Sequence, residues 1–316
     1  MEKMLRRILL LLLCAALLCA LPGCTAEKGE EPMRVLIIGN SHSVDAFYML
    51  QRVFADQLPE QKLVLGIVFY GGCSISKHLL FAQHEEPAYT YLRDDNGNRE
   101  SFEGWTMRAI LEDQSWDKVF FQAAKTDLDD TLNEADRRAL EDYVSRCLGK
   151  PYEKWWHTSW PSPNEEIFFS PAYVSIAPEG YKENLMALYG FDPSNQFTVL
   201  TDMAKQHILT DDNYTGAVCT GTAIMYAHNV LDRPQLELWR DYTHLSDLGR
   251  LMAAYSLYAQ LTGNKIQQVG IDVIPTQRRS TQYQHLGDLT ITPQMKEIII
   301  EAVNYSLDAP WSVPTK

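Results

Sequence analysis

The sequence predicts an α/β protein in which helices cover both faces of a doubly wound parallel sheet. Short apolar runs of strand length end at glycine or polar residues, and amphipathic stretches of helical period follow them along the chain. Runs that are apolar throughout, rather than at every second position, are typical of parallel strands buried on both faces. The predicted strands are Arg34–Ile38, Lys62–Gly72, Lys118–Ala124 and Lys154–Trp160.

Helical periodicity and capping residues define the helices. Asp45–Gln57 has apolar residues at helical spacing and ends before Pro59, which cannot continue a helix. Further helices are predicted over Leu132–Lys150, Leu248–Thr262 and Pro293–Leu307.

The stretch from residue 161 to residue 215 breaks the alternation of strand and helix. It is rich in proline, asparagine, aspartate and aromatic residues. We expect a long irregular or partly helical insertion that forms a wall or lid over a site.

The N-terminus has the pattern of a signal peptide. A basic start precedes the apolar run Ile8–Leu21, which is shorter than the ~20 residues that a membrane span needs. Its end resembles a bacterial lipobox, so residues 1–23 are predicted to be removed and Cys24 to be lipidated. An uncleaved membrane anchor is the alternative, and either one places the rest of the chain outside the cytoplasm.

The predicted mature chain consists of a tether and one domain. Residues 24–32 are small, charged and end in proline, which suits a short tether between lipid and domain. Residues 33–316 then form a single domain that contains the insertion.

The charge of the chain excludes some partners. The sequence has 28 basic and 41 acidic side chains, a net charge of -13. Residues 1–23 carry a net +2, so the mature chain stands at -15. Nucleic acids and anionic membrane surfaces are poor partners for such a chain, because binding to both depends on clustered lysine and arginine. We expect no nucleic acid, contact with the membrane through the N-terminal lipid only, and a neutral small-molecule or glycan ligand.

Cysteine and histidine spacing predicts neither a disulfide framework nor a metal site. After loss of the signal peptide and lipidation of Cys24, only Cys73, Cys147 and Cys219 remain, which leaves room for one disulfide. No CxxC or HExxH spacing occurs. We expect no metal and no cofactor.

Ser41 is the first candidate for chemistry. It lies in "VLIIGNSHSVD", just past the first strand and before a helix. Ligands of doubly wound sheets bind beyond the carboxyl ends of the strands, where backbone N–H groups at a helix start can stabilise an oxyanion. Ser41 is therefore placed as a nucleophile would be. The alternative is that Asn40, Ser41 or Ser43 only caps the helix.

A serine hydroxyl is a weak nucleophile and needs a base that a third group orients. Near the other end of the chain, "WRDYTHLSDLGR" contains Asp241 and His244, three residues apart. The carboxylate could hold one imidazole nitrogen while the other faces the serine. The alternative is an ordinary surface loop.

Four blocks of the chain together resemble a known superfamily. "IGNSHSVDA", "GGCSISKH", "WDKVFFQAAK" and "DYTHLSDLGR" are similar, in this order, to blocks of a domain-of-unknown-function branch of the SGNH hydrolases, the GDSL-like esterases. The resemblance spans about residues 34 to 263. It implies a flavodoxin-like SGNH hydrolase fold, with Ser41 as nucleophile, His244 as general base and acid, and Asp241 as the group that orients His244.

The resemblance also implies an oxyanion hole, with one departure from the pattern. Backbone N–H groups of Ser41 and Gly72 would supply two donors. The wider superfamily adds an asparagine that this sequence lacks, and the amide of Gln122 is predicted to replace it. After its glutamine the branch often continues with a small residue and serine, whereas this chain has Ala123, Ala124 and Lys125. Lys125 is either a substrate contact or a solvated charge.

Other residues are weaker candidates. His42 follows Ser41 on a tight turn and is expected to point away from it. Cys73 and His78 are expected to be packed residues. Among the tryptophans, Trp155 and Trp156 suit strand packing, and Trp160 is predicted to line the crevice as a platform for sugar rings.

These observations predict a lipid-anchored, extracytoplasmic serine esterase. The expected substrate is a small acyl ester, in particular an acetyl group on a carbohydrate. Two alternatives remain open. One is a non-catalytic glycan-binding lipoprotein with the same fold, and the other is an O-acyltransferase that uses the same triad.

Overall fold

A mostly parallel sheet of seven strands forms the centre of the protein. A computed structural model describes residues 31–123, 134–163, 192–275 and 288–315. The predicted signal peptide, Cys24 and Lys125 lie outside these ranges. The strands are β1 Met33–Gly39, β2 Leu63–Phe69, β3 Tyr89–Asp95, β4 Asn98–Trp105, β5 Lys118–Phe121, β6 Glu153–Thr158 and β7 Gly216–Cys219, and a separate two-stranded sheet pairs β8 Val273–Ile274 with β9 Leu289–Thr290.

The strand order is β4-β3-β2-β1-β5-β6-β7. Strand β1 pairs in parallel with β2 and β5, and β6 and β7 continue the parallel part. Counted alone, the five parallel strands have the order 2-1-3-4-5 of flavodoxin-like folds, and their order reverses between β1 and β5. The crevice at this reversal is where such sheets bind ligands, and the residues that follow β1 and β5 line it.

Helices cover both faces of the sheet. They are α1 Ser41–Phe47, α2 Leu50–Gln57, α3 Ile75–Gln83, α4 Met107–Asp113, α5 Glu134–Leu148, α6 Pro193–His207, α7 Gly221–Asn229, α8 Gln235–Leu238, α9 Asp247–Thr262 and α10 Pro293–Asp308. None of these described helices is long and apolar enough to cross a membrane.

Strand β1 shows why both faces need helices. Val35 and Ile37 belong to one apolar core, Leu36 and Ile38 belong to the other, and none of the four has exposed surface. The first core packs under α1, α2, α7, α9 and α10, and the second packs under α3, α4 and α5. The fully apolar run in the sequence correctly indicated this two-sided burial, and the predicted fold class is confirmed.

The helix predicted over Asp45–Gln57 is two helices, α1 and α2, and the first begins four residues earlier, at Ser41. They meet at Tyr48 and Met49. The guanidinium of Arg99, from β4, donates a hydrogen bond of 2.7 Å to the backbone oxygen of Tyr48 and lies 3.8 Å above its ring. This tertiary contact uses a carbonyl that a continuous helix would bond internally, and the sequence pattern does not reveal it.

The antiparallel hairpin of β3 and β4 was not predicted. It adds two strands beside β2 and turns at Asn96 and Gly97, which both have positive φ, 50° and 92°. Two consecutive positive φ angles are typical of the two-residue hairpin turn that Asn-Gly favours.

Part of the predicted insertion is helical. Helix α6 lies within the stretch 161–215, as the alternative of a partly helical insertion allowed. Asp192 caps this helix by accepting hydrogen bonds from the N–H groups of Ser194 and Asn195. Residues 164–191 lie outside the described residues, so the predicted lid stays a prediction.

Gly66 tests the packing between β2 and the core under α4. A Cβ at this position would lie 2.5 Å from Cη2 of Trp116 and 2.8 Å from Cδ1 of Leu36. We expect Gly66→Ala to lower the free energy of unfolding by about 1–3 kcal/mol, the usual cost of overpacking a core. Gly71→Ala is the matched control, because a Cβ there meets no described atom within 4 Å. Equal urea midpoints for the two variants would contradict this packing.

Candidate active site

The turn after β1 places Ser41 at the crevice. Asn40 is the N-cap of α1, and its side-chain oxygen accepts a hydrogen bond of 3.0 Å from the N–H of His42. The cap of the helix is therefore Asn40, and neither Ser41 nor Ser43 has that role. Ser41 is the first helical residue and is partly exposed. Ser43 is fully buried. Only the first of the two serines can meet a ligand.

The side chain of Gln122 holds this turn and does not reach the crevice. Its side chain is fully buried, and its oxygen accepts hydrogen bonds from the N–H of Asn40 (3.2 Å) and the hydroxyl of Ser43 (2.9 Å). Its amide nitrogen donates to the carbonyl of Ala123. The geometry contradicts the predicted oxyanion role of Gln122, because the side chain has no exposed surface from which its amide could reach a ligand in the crevice.

The remaining candidates for oxyanion donors are backbone N–H groups. The N–H groups of Ser41 and Gly72 donate to no atom among the residues that the structure describes. Gly72 is exposed and has a φ of +62°, a conformation that favours glycine. The side-chain nitrogen of Asn40 donates to the carbonyl of Cys73 at 3.3 Å, which holds this glycine loop beside the Ser41 turn.

A tight loop carries the predicted base. Arg240 N–H donates to the carbonyl of His244 at 3.0 Å, and Trp239 and Leu245 form a β-bridge around it. Inside the loop, fully buried Asp241 accepts hydrogen bonds from the backbone N–H of Thr243 (2.9 Å) and His244 (2.7 Å). Both carboxylate oxygens of Asp241 lie within 3.0 Å of Nδ1 of His244.

The charge state of Asp241 determines the tautomer of His244. Burial alone would raise the pKa of Asp241, but the hydrogen bonds and charge of His244, together with the charge of Arg240, lower the pKa to about 2. An ionised carboxylate can only accept hydrogen bonds, so Nδ1 of His244 carries the proton. Nε2 then keeps its lone pair in the neutral ring, which is the arrangement that a general base needs.

The Ser41 turn and the His244 loop are bonded to each other. Nε2 of His42 hydrogen-bonds with the hydroxyl of Thr243 at 2.9 Å, and the rings of His42 and His244 are 5.9 Å apart. Ser41 directly precedes His42 in the chain, and His244 directly follows Thr243. No hydrogen bond links the Ser41 hydroxyl with His244 in the described part of the chain, and such bonds are often loose before substrate binds.

Asp45 ties the same two segments together with a charge. Its carboxylate, 2% exposed, accepts two hydrogen bonds from Arg240, at 3.0 and 2.9 Å, and one of 3.0 Å from the N–H of Leu245. Nε of Arg250, on α9, lies 3.2 Å from Oδ1 of the same carboxylate. The residues before Asp241 and after His244 are thus both held on α1.

Trp160 supports the loop and offers no platform to a sugar. It has no exposed surface, and its indole N–H donates to the carbonyl of Thr243 at 2.9 Å. Its ring packs edge-on against the ring of His42, with 5.1 Å between the ring centroids. The predicted sugar-stacking role of Trp160 is wrong because both faces of the ring are covered by the protein.

The weaker candidates are packed residues, as expected. His42 is 6% exposed and contacts Thr243, so it holds the loop. His78 is fully buried against Tyr89, and burial lowers its pKa to about 3. Cys73 is buried, and no disulfide forms among the described cysteines.

Comparison with known proteins supports the fold. No protein-family model matches the sequence, and no curated protein matches it at a significant level. Among solved structures, the chain is similar to a DUF4886 family protein from Bacteroides uniformis, with 22% identity and a TM-score of 0.68 over 90% of this chain and 98% of that one. The chain shares the fold of this DUF4886 family protein. The predicted resemblance to a branch of unknown function is confirmed at the level of fold.

Two further solved structures have lower similarity to this chain. A variant of an acetyl xylan esterase from Geobacillus stearothermophilus has 12% identity and a TM-score of 0.43, over 75% of this chain and 97% of that one. A member of the lipolytic protein G-D-S-L family from Veillonella parvula has 8% identity and a TM-score of 0.37, over 73% and 98%.

Sequence reasoning missed the residues that hold the site. Asp45, Arg240 and Arg250 all lie in the quoted blocks or directly beside one, but no role was predicted for them. One signal was present: Asp45 is the one carboxylate in the block that contains Ser41, and it lies four residues after this candidate nucleophile.

The lowered pKa of Asp241 predicts a pH-dependent contribution to stability. A carboxylate with a folded pKa below its ordinary value stabilises the fold above about pH 4, and this contribution is lost as the pH falls toward 2. A shift from 3.8 to about 2 corresponds to about 2 kcal/mol. The difference in unfolding free energy between wild type and Asp241→Asn should therefore shrink by up to this amount as the pH is lowered.

Urea unfolding at several pH values measures this difference. Asp272→Asn is the control, since Asp272 is 78% exposed and its removal should give a small difference at every pH. A difference for Asp241→Asn that is constant from neutral to acid pH would show that the carboxylate is not selectively stabilised in the fold.

Proposed function

We propose that the protein is a serine esterase of SGNH type that hydrolyses small acyl esters. Ser41 is the nucleophile, His244 the general base and acid, and Asp241 the residue that orients His244. The observation that carries this proposal is the carboxylate–imidazole pair of Asp241 and His244, on a loop bonded to the turn that presents Ser41. Both segments lie at the crevice where the strand order reverses.

In the first half of the reaction, the Ser41 hydroxyl attacks the ester carbonyl while Nε2 of His244 takes its proton. The carbonyl oxygen becomes an oxyanion, which the backbone N–H groups of Ser41 and Gly72 stabilise. The intermediate then collapses, the C–O bond to the alcohol breaks, and His244 returns the proton to the departing alcohol. An acyl group remains on Ser41.

In the second half, water attacks the acyl-enzyme. His244 takes a proton from the water and returns it to Ser41 as the acyl–oxygen bond breaks, which releases a carboxylic acid. Asp241 keeps its negative charge throughout and stabilises the imidazolium that forms twice in the cycle. Because the pKa of Asp241 is about 2, this charge is present throughout the neutral pH range.

The two backbone donors carry the oxyanion stabilisation in this proposal. Loss of one such donor typically costs about 3 kcal/mol of transition-state stabilisation. Since Gln122 is committed elsewhere, the catalytic rate depends strongly on the conformation of the Gly71–Gly72 loop.

The proposed substrate is an acetyl ester of a carbohydrate. Support comes from the space beside the oxyanion donors: a Cβ on Gly71 or Gly72 would meet no described atom within 4 Å, so a bulky alcohol portion has room there. The net charge of -13 also disfavours acidic ligands. We further propose that the domain acts outside the cytoplasm, held to the membrane by a lipid on Cys24.

Ser41→Ala tests the nucleophile directly. We expect the wild type to release p-nitrophenol from its acetate ester and to react with a serine-directed fluorophosphonate, and the variant to lose turnover by about a thousandfold or more. The variant should also lose the label, although Ser43 is still present, because Ser43 is buried.

The outcome that contradicts the proposal is a wild type with neither turnover nor label, which would favour a glycan-binding protein without catalysis. A screen of acetylated glycans, with detection of both acetate and acetylated acceptors, then separates hydrolysis from acyl transfer. Free acetate as the sole product supports the esterase.

A further inference from the structure

We infer that Asp45 is a positioning residue that sets where His244 stands relative to Ser41. The inference rests on the proposed function, and it assigns a role to a residue that touches neither the substrate nor the reacting atoms. Asp45 acts through Arg240 and through the backbone at Leu245.

Helix α1 links the nucleophile to this carboxylate. Ser41 and Asp45 are four residues apart, so they lie on the same side of the helix, one turn from each other. The helix fixes this separation rigidly. Whatever is bonded to Asp45 is therefore held at a fixed distance from Ser41.

The bonds to Asp45 reach both ends of the loop that carries the base. Arg240 immediately precedes Asp241, and Leu245 immediately follows His244. Two attachment points, one on each side, fix the orientation of the loop as well as its distance. A single contact, such as the one between His42 and Thr243, leaves the loop free to rotate about it.

Burial makes this attachment selective. A carboxylate that is 2% exposed is unfavourable unless it is paired, so loop positions that separate Arg240 from Asp45 are disfavoured. Arg250 approaches the same carboxylate from α9, which brings the following helix into register with α1. The charge thus selects one loop position among those that backbone packing alone would allow.

The experiment compares Arg240→Gln, Arg240→Lys and Asp45→Asn with wild type in ester hydrolysis. We expect Arg240→Gln to lower kcat about 10- to 100-fold with KM changed less than about twofold, since a displacement of about 1 Å in a catalytic group has effects of this size. Arg240→Lys should recover part of kcat, because an ammonium can still contact Asp45. Asp45→Asn combined with Arg240→Gln should be no worse than the more damaging single variant, as two residues that act as a unit are not additive.

The matched control is Arg233→Gln. Arg233 has a side chain 20% exposed, close to the 18% of Arg240, and it is paired with Glu237 away from Asp45. We expect its kcat to equal that of wild type. Thermal unfolding of all variants identifies any that fail to fold. If Asp45→Asn fails to fold, the kcat of Arg240→Gln decides whether Asp45 positions His244.

An NMR measurement separates this inference from the proposed function. The Nδ1–H proton of His244, assigned by its absence in His244→Ala, should shift or broaden in Arg240→Gln but not in Arg233→Gln. Wild-type protein without esterase activity would refute the proposed function, and the NMR result would then decide the positioning role alone. Unchanged kcat and an unchanged Nδ1–H signal in Arg240→Gln would overturn the inference.

Discussion

The buried charge of Asp45 is the constraint on which the candidate site depends. Its partners Arg240, Leu245 and Arg250 are 195, 200 and 205 residues further along the chain, and they belong to a loop and to helix α9. A carboxylate removed from water is unfavourable without such partners, so the burial of Asp45 favours the position of the loop of Asp241 and His244 in which Arg240 pairs with it.

Two amide side chains near the crevice hold the backbone in place. Asn40 caps α1 and bonds to the glycine loop, and Gln122 bonds the turn after β1 to the end of β5. The proposed mechanism therefore assigns oxyanion stabilisation to the main-chain N–H groups of Ser41 and Gly72.

The sequence predicted the parts of the fold that follow from local pattern. Fully apolar strands and the helices predicted over Leu248–Thr262 and Pro293–Leu307 depend on neighbours in the chain, and the structure has the corresponding elements. The Asn-Gly turn between β3 and β4 was also a local signal, but it was overlooked because the alternation of strand and helix suggested an entirely parallel sheet.

The remaining differences arise from long-range contacts. Trp160 was expected to face the crevice, and Gln122 to donate to an oxyanion, but their partners Thr243 and Asn40 are set by the packing of distant segments. The same holds for the break at Tyr48, which depends on Arg99. The spacing of apolar residues in the sequence predicts which face of a helix or strand is buried. It does not predict the hydrogen-bond partner of a polar group on that face.

Mass spectrometry of the acyl-enzyme tests the central claim most directly. The protein would be mixed with p-nitrophenyl acetate, quenched in acid within the first turnover, digested and mapped. The account predicts the mass of one acetyl group on the peptide that contains Ser41, with fragmentation assigning it to that residue and His244→Ala preventing its formation. Turnover with the acetyl group on a different side chain, or acetylation of Ser41 that does not depend on His244, would contradict it.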